Sequence, residues 1–484
     1  MRSADVASHW LLAAALAAAA LLTRFYGLGD WPIYRDEKFT ILHAAERAAS
    51  LINPAYYSLV LASLELPLGI ETAARLPAAV LGVLGVPALY LFWTPAIGRR
   101  AAALAAVLLL LSPWHLFHSQ YARFYSGVVL LAIVACALYY RALATGSVPR
   151  FAIAIALAAG AALFHATAVT LLAGFYLWAV ALAATGRAGS PAGNRLARIA
   201  AWGGIVPLLG VGVLLAPLAR DWIGLGQGWQ VSPVRFAGRL AFDLELVLAA
   251  AAALGVLRAV RLRMPVGFYL LAMLAATAGL PLAATAVFDM RTDYAIAALP
   301  LACIGAALLL VPGERDASGA RARWLEHAVA VLLVVPLLPA FASHYLERRT
   351  LDAREVVAFV EARRAPGDRV YNYSTAYDYY VGDGTALLPY IGHPVLHSGR
   401  WEPCLNRYLN GAERVWLLLR RTGDPLAADL EHWLTTHARL AWRQYAERYD
   451  RRIEGFEIYL AERPDARLEP DGCGVERAAA EPAE

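Results

Sequence analysis

Long apolar stretches, separated by short polar turns, dominate the chain from its N-terminus to about residue 342. Uncharged runs of about 18 residues or more are long enough to cross the hydrocarbon core of a bilayer as helices. They place spans near 8–26, 76–94, 100–117, 124–142, 150–165, 167–185, 199–219, 240–258, 265–288, 294–312 and 324–342. The division at His165-Ala166-Thr167 is the weakest, because no polar loop separates its two runs. The opening segment reads as the first span and not as a cleaved leader: its apolar run is long, and Arg24-Phe25-Tyr26 follows it where small residues would mark cleavage. The pattern predicts a polytopic α-helical membrane protein with about 11 transmembrane helices.

Two regions break the pattern. Segment 27–75 carries apolar residues at helical spacing. Phe39, Leu42, Ala45 and Ala49 predict an amphipathic helix over Asp36–Ala49, stopped by Asn53-Pro54. Tyr56, Tyr57 and Leu59-Val60-Leu61 predict a second helix lying in the membrane interface, where tyrosine prefers to sit. From about 343 the charge rises and the long apolar runs end. Helices at Glu355–Arg364 and Asp429–Arg439 alternate with strands at Arg369–Tyr373, Arg414–Leu419 and Phe456–Leu460. That alternation predicts a small α/β domain. The expected organisation is a transmembrane domain over 1–342, an α/β domain over 343–466 and a frayed tail over 467–484.

Charge placement sets the expected orientation. Arg99/Arg100, Arg141/Arg150, Arg187/Arg195/Arg198, Arg258/Arg261/Arg263 and Arg315/Arg321/Arg323 fall in alternate loops. The positive-inside rule puts those loops and the N-terminus in the cytoplasm of a multi-pass inner (plasma) membrane protein. The 27–75 loop, the Arg123 turn, the 220–239 loop, the Arg291 turn and the α/β domain then lie on the extracytoplasmic side. The chain is 60% hydrophobic and 17% charged, with a net charge of +5. Loop arginines account for that charge without a nucleic-acid partner.

Of four cysteines, Cys136 and Cys303 fall in predicted spans as inert core residues. Cys404 falls in the α/β domain and Cys473 in the tail that follows it, and a disulfide between them and two free thiols are both open readings. No Cys/His spacing resembles a zinc site and no glycine-rich phosphate loop is present, so neither a metal nor a cofactor is expected.

The polar residues beside the apolar runs carry the candidate chemistry. Asp36-Glu37 follows the first span, next to Lys38, the only lysine in the chain. One reading makes Asp36 a helix N-cap with Glu37 in a first turn favoured by the macrodipole. The other makes Asp36 a general base at the membrane surface, with Glu37 orienting it or binding an acceptor. Arg75, Arg123 and Arg291 all fall on the same expected side as the acid pair. An arginine at a membrane edge either snorkels to the headgroups or serves function. Lys38, Arg75, Arg123 and Arg291 are accordingly candidate phosphate-binding groups. His43, Tyr57, Tyr125, His165 and Tyr294 are candidate substrate-lining residues, weighed against ordinary packing.

An ordered set of motifs ties these residues together. It comprises Asp36-Glu37, then Asn53-Pro54-Ala55-Tyr56-Tyr57, then Glu71-Thr72-Ala73-Ala74-Arg75-Leu76-Pro77. Gly98-Arg99-Arg100-Ala101-Ala102, Ser112-Pro113 through Ala122-Arg123-Phe124-Tyr125, and Arg291 to Pro300 complete it. The set resembles the bacterial relatives of dolichyl-phosphate-mannose–protein mannosyltransferases, family-39 glycosyltransferases of the GT-C fold, to which the aminoarabinose transferase of lipid A is related. The loop after the third span departs from several members, offering Arg123 and no acidic residue. The resemblance implies transfer of a sugar from a polyprenyl-phosphate donor to a lipid, glycan or protein acceptor, inverting, with Asp36 as base. It implies a lipid bilayer and a polyprenyl-phosphate sugar as partners. A polytopic transporter and a ligase or polymerase of lipid-linked glycans are the competing readings.

Overall fold

The computed structural model describes residues 3–33, 36–49, 53–204, 232–286, 290–311, 320–346, 352–372, 380, 387–388, 413–421, 428–447 and 453–462. Contacts divide the chain into two compact units. One is formed by Met1–Gly29 and Thr40–His344, the other by Asp30–Phe39 and Tyr345–Glu484.

The first unit is built of helices. They are α1 (Ser3–Phe25), α2 (Asp36–Leu42, shared with the other unit), α3 (Ala44–Ala48), α4 (Pro54–Leu64), α5 (Ile70–Ile97) and α6 (Arg99–Leu111). Next come α7 (Pro113–Ser119), α8 (Tyr125–Thr145), α9 (Val148–Phe164), α10 (Val169–Thr185) and α11 (Pro191–Gly203). After residue 231 follow α12 (Pro233–Asp243), α13 (Leu246–Arg261), α14 (Pro265–Leu274), α15 (Leu280–Ala284), α16 (Ala298–Ala307), α17 (Ala320–Val334) and α18 (Leu337–Leu346).

Several helix starts follow from one dipeptide. Ser112-Pro113, Ser190-Pro191 and Ser232-Pro233 open α7, α11 and α12. Each serine hydroxyl accepts from a backbone N–H of the first turn, and each proline takes the first helical position, where no N–H is needed. At Asn53-Pro54 only the proline is shared: Pro54 begins α4, while Asn53 is left-handed at φ 56° and its side chain makes no cap hydrogen bond. His165 is extended, at φ −157°, and divides α9 from a 3-10 turn over Ala166–Ala168 that leads into α10. Two helices therefore occupy 148–185.

Among the described residues, six helices are long and apolar enough to cross a membrane, or eight if each of two bent pairs is one crossing. The expected span 100–117 is broken at Ser112, where α6 and α7 meet at 61°. The expected span 240–258 is broken at Leu244-Glu245, where α12 and α13 meet at 96°. Glu245 sits there at φ 65°, a strained backbone for a residue with a Cβ. The helix expected over Asp36–Ala49 is divided at His43 into α2 and α3. Its predicted apolar residues Phe39 and Leu42 are exposed, while Thr40 and Ala44 are buried. The expected span 199–219 lies outside the described residues from 205 onward.

Two reciprocal contacts join α1 to the α6–α7 break. Fully buried Arg24 donates through Nη2 to the carbonyls of Leu110 (2.8 Å) and Leu109 (3.4 Å), at the end of α6. The same nitrogen lies 3.0 Å from His115 Nδ1 on α7. In return, Gln120 Nε2, just after α7, donates to the carbonyls of Arg24 (3.1 Å) and Tyr26 (2.8 Å). Gln120 Oε1 lies 2.7 Å from His344 Nε2 on α18. Carbonyls at the ends of both helices thereby gain side-chain donors.

The second unit contains α19 (Ala353–Glu361), α20 (Ala428–His437) and a sheet of β1 (Arg369–Asn372), β2 (Leu387–Leu388), β3 (Arg414–Arg421), β4 (Arg439–Glu447) and β5 (Ile453–Glu462). The strand order is β2-β1-β3-β5-β4. The β2–β1 and β1–β3 pairs are parallel; β3–β5 and β5–β4 are antiparallel. Its core joins Val356, Val357 and Val360 of α19 to Val370, Trp416, Leu418, Phe456, Ile458 and Leu460. Strand β4, not expected from the sequence, begins at Arg439, where the helix ends two residues earlier. Segment 30–39 is tied to this unit: Arg354 Nη2 donates to the Asp30 carbonyl at 2.9 Å, and the Ile33 amide donates to the Tyr380 hydroxyl. Cys404 and Cys473 lie outside the described residues. Cys136 and Cys303 are buried free thiols.

Close packing of α13 on α16 fixes the turn that precedes α16. A Cβ on Gly255 would collide with the Gly305 carbonyl oxygen, the kind of small-residue approach that membrane helices use. Gly255→Leu is expected to lower stability by about 1–3 kcal/mol. Gly160→Ala, with open space around its site, is the control. Thermal unfolding of both detergent-purified variants measures this, and equal melting temperatures would refute the packing argument.

Candidate functional site

Three turns of the first unit meet. The first, between α7 and α8, carries Arg123 and Phe124 and leads to Tyr125. The second is the His165 junction. The third is a 3-10 turn over Thr292–Ala295, preceded by Arg291. None of these turns is near the others in sequence; what joins them is ring packing. The Phe124 ring stacks on His165 with centroids 4.4 Å apart, and Tyr294 lies 5.2 Å from His165 on centroids. Tyr125, buried at the start of α8, sits 4.4 Å from His118 and 5.9 Å from His165.

The charges follow the rings. The Arg123 guanidinium lies 4.7 Å from the Phe124 centroid, and its Nη1 donates to the Thr40 hydroxyl at 3.4 Å. Arg291 is about half exposed and its Nη2 pairs with Asp293 Oδ2 at 3.0 Å. Asp293 Oδ1 lies 3.1 Å from His118 Nε2 and accepts from Trp114 Nε1 at 3.4 Å. Burial would raise the Asp293 carboxyl, but His118, Arg291 and Trp114 together hold it well below the usual carboxylate range. Burial, aided by Arg123 and against the pull of Asp293, holds His165 down to about 3. The His165 ring is therefore neutral at physiological pH, with Nδ1 2.6 Å from the Thr167 hydroxyl. Arg123, Asp293 and Arg291 all exert their fields on that ring.

A second carboxylate stands behind the third turn. Asp243 is buried at the end of α12, pairs with Arg239 at 3.1 Å and accepts from the Thr292 hydroxyl. The strained Glu245 elbow lies two residues beyond it.

Of the residues singled out from sequence, Arg123, Tyr125, His165, Arg291 and Tyr294 are thus brought together. Tyr57 is buried beside Tyr56, whose ring lies 6.1 Å from that of Phe124. Arg75 is buried in α5 and donates to the Leu28 carbonyl at 3.1 Å. His43 pairs locally with Glu46 at 3.0 Å, one helical turn on, and that pair is exposed. Asp36, Glu37 and Lys38 belong to the second unit. They form the first turn of α2, with Glu37 fully buried and Asp36 and Lys38 half-buried. Sequence reasoning missed Trp114, His118, Asp243 and Asp293 as site residues. The dense aromatic and histidine run Trp114–Tyr125 was the available signal for the first two.

The arrangement presents two cations, one anion and several ring faces around a neutral imidazole. Such a set suits an anionic head group with an apolar or ring-bearing neighbour.

Known proteins share this architecture at low sequence similarity. No family model matches the chain, and no curated protein matches it. The crystal structure of ArnT from Cupriavidus metallidurans bound to undecaprenyl phosphate aligns with a TM-score of 0.52 and 14% identity, covering 93% of this chain and 98% of that one. The apo form of the same ArnT aligns with a TM-score of 0.55 and 13% identity, over the same shares of each chain. At such identity the likeness is one of fold: the chain is a multi-pass membrane protein whose architecture is similar to that of ArnT.

Proposed function

We propose that this protein is a membrane glycosyltransferase that moves a sugar from a polyprenyl-phosphate donor to a lipid, glycan or protein acceptor on the extracytoplasmic face. The observation that carries the reading is the packing of the Phe124 and Tyr294 rings on His165, which brings together the turns that carry Arg123 and Arg291 from places distant in sequence. The ArnT-like fold supports the same class, since one of the similar structures holds undecaprenyl phosphate.

The chemistry is consistent with those residues. An acceptor hydroxyl attacks the anomeric carbon. The new carbon–oxygen bond forms as the bond to the phosphate oxygen breaks. The electron pair leaves with the polyprenyl phosphate, which gains negative charge. Two arginines offset that charge, and such stabilisation is often the largest catalytic contribution. The acceptor proton passes to Asp36, with general-base help of about 10²–10⁴-fold. Glu37 orients Asp36 or holds the acceptor. Direct displacement inverts the anomeric centre. Lys38 and Arg75 are further phosphate ligands in this scheme; His43, Tyr57, Tyr125, His165 and Tyr294 line the substrates.

Asp36→Asn is expected to keep the fold and donor binding while lowering turnover by at least about 10²-fold. Release of undecaprenyl phosphate from a panel of undecaprenyl-phosphate sugars measures it. Near-normal release from a folded variant would remove Asp36 from the base role.

Arg123→Gln or Arg291→Gln is expected to weaken donor use about tenfold or more. Arg→Lys should recover only part, because lysine lacks the planar fork. The double variant should be non-additive, since both side chains would touch one phosphate. Additive losses with full lysine rescue would instead mean that each arginine merely anchors its helix at the headgroups.

Orientation is testable in whole cells. In a background lacking the four native cysteines, a label site at Arg187→Cys is expected to react only from the cytoplasm. One at Ala362→Cys, exposed in the second unit, is expected to react from outside. Reaction of both from one side would overturn the assigned topology.

A further inference from the structure

The Arg291 guanidinium does not stand by itself at the meeting of the three turns. Its Nη2 is held 3.0 Å from Asp293 Oδ2, two residues along the same turn. The other oxygen of that carboxylate is fixed from a different part of the chain. His118 Nε2 lies 3.1 Å from Oδ1, and the Trp114 indole N–H reaches it at 3.4 Å. His118 is 1% exposed and Trp114 is fully buried, so both sit on a packed helix and not on a loose loop. The Asp293 side chain is 13% exposed, against 48% for Arg291. The pair therefore runs from an anchored, enclosed carboxylate to a half-exposed cation.

That geometry divides the guanidinium. The planar fork has five N–H donors, and the carboxylate engages Nη2. A flexible arginine loses side-chain freedom when it binds an anion. One already tethered has less to lose, which is how preorganisation strengthens binding.

We propose that Asp293 is a positioning residue, anchored by His118 and Trp114 of α7, that holds Arg291 ready for the phosphate of a polyprenyl-phosphate ligand. The inference rests on the phosphate role proposed above for Arg291 and adds the device that orients it. It also gives α7 a role, since the helix after the Ser112 break carries the donors that pin the carboxylate.

Simple Coulomb reasoning gives the opposite sign. A carboxylate beside a phosphate site repels the ligand, so deleting its charge ought to tighten binding. Positioning says that deleting it weakens binding although the site becomes more positive.

The full chain in nanodiscs, titrated with undecaprenyl phosphate and with undecaprenol, separates the two. Wild type is expected to prefer the phosphate over the alcohol, and Arg291→Gln to lose most of that preference. Asp293→Asn should lower the preference about tenfold with Arg291 still present. Asp293→Glu, which keeps the charge, should recover part of it. In the Arg291→Gln background, Asp293→Asn should add almost nothing. Trp114→Phe, which removes one hydrogen bond but keeps an aromatic side chain, should lower the preference about threefold. A preference in Asp293→Asn equal to or above wild type overturns the proposal while leaving the phosphate role of Arg291 intact. Equal weakening of both ligands also overturns it, because that marks a general structural loss. Where Asp293→Asn does not fold, an unchanged preference in Trp114→Phe overturns it. No preference in wild type removes the phosphate reading itself, and this inference with it.

Discussion

A helix that breaks inside an apolar interior must find partners for the backbone groups it frees, and the first unit depends on how one such break is met. Pro113 ends the hydrogen-bond ladder of α6, and the carbonyls of Leu109 and Leu110 are left without helical donors. Arg24, a buried cation at the end of α1, supplies them. Gln120 closes the circuit by capping α1 from the far end of α7. The end of α6 is thus met by a side chain of α1 and the end of α1 by the residue after α7, and α7 is held at both ends. A buried arginine is costly unless it is fully bonded. Here that cost is offset by carbonyls that would otherwise carry a comparable penalty.

The consequence passes outward along α7. Its seven residues include His115 against Arg24, then Trp114 and His118 against Asp293. The chain reaches the Arg291 turn through this short element and through Asp243, which holds Thr292 from α12. Polar groups at the meeting of the turns are therefore connected to one another before any ligand arrives. A connected network of this kind keeps its geometry better than isolated side chains on loops.

Much of this was visible in the sequence. The apolar runs marked α1, α5, α8 and α10. Arg123, Tyr125, His165, Arg291 and Tyr294 could be picked out because polar or aromatic residues at span ends are conspicuous. Asp293 could not, because its meaning comes from His118, 175 residues away. Strand β4 was missed for a related reason. Arg439, Arg443, Gln444 and Glu447 make it read as polar, as an edge strand should, and only pairing with β5 defines it. The bend at Glu245 was also hidden, since its strained φ has no signature in an apolar run.

The ten residues from Asp30 to Phe39 lie early in the chain, yet they belong with a sheet domain that starts more than three hundred residues later. Arg354 and Tyr380 hold the Asp30 carbonyl and the Ile33 amide, so the stem of the acid pair is knitted into that domain. A chain ending after α18, at Leu346, would keep the described helices of the first unit and still lose Arg354 and Tyr380, which hold the segment that leads to Asp36 and Glu37. The sheet domain is then more than an appendage, and exchanging it for another would require residues 30–39 to travel with it.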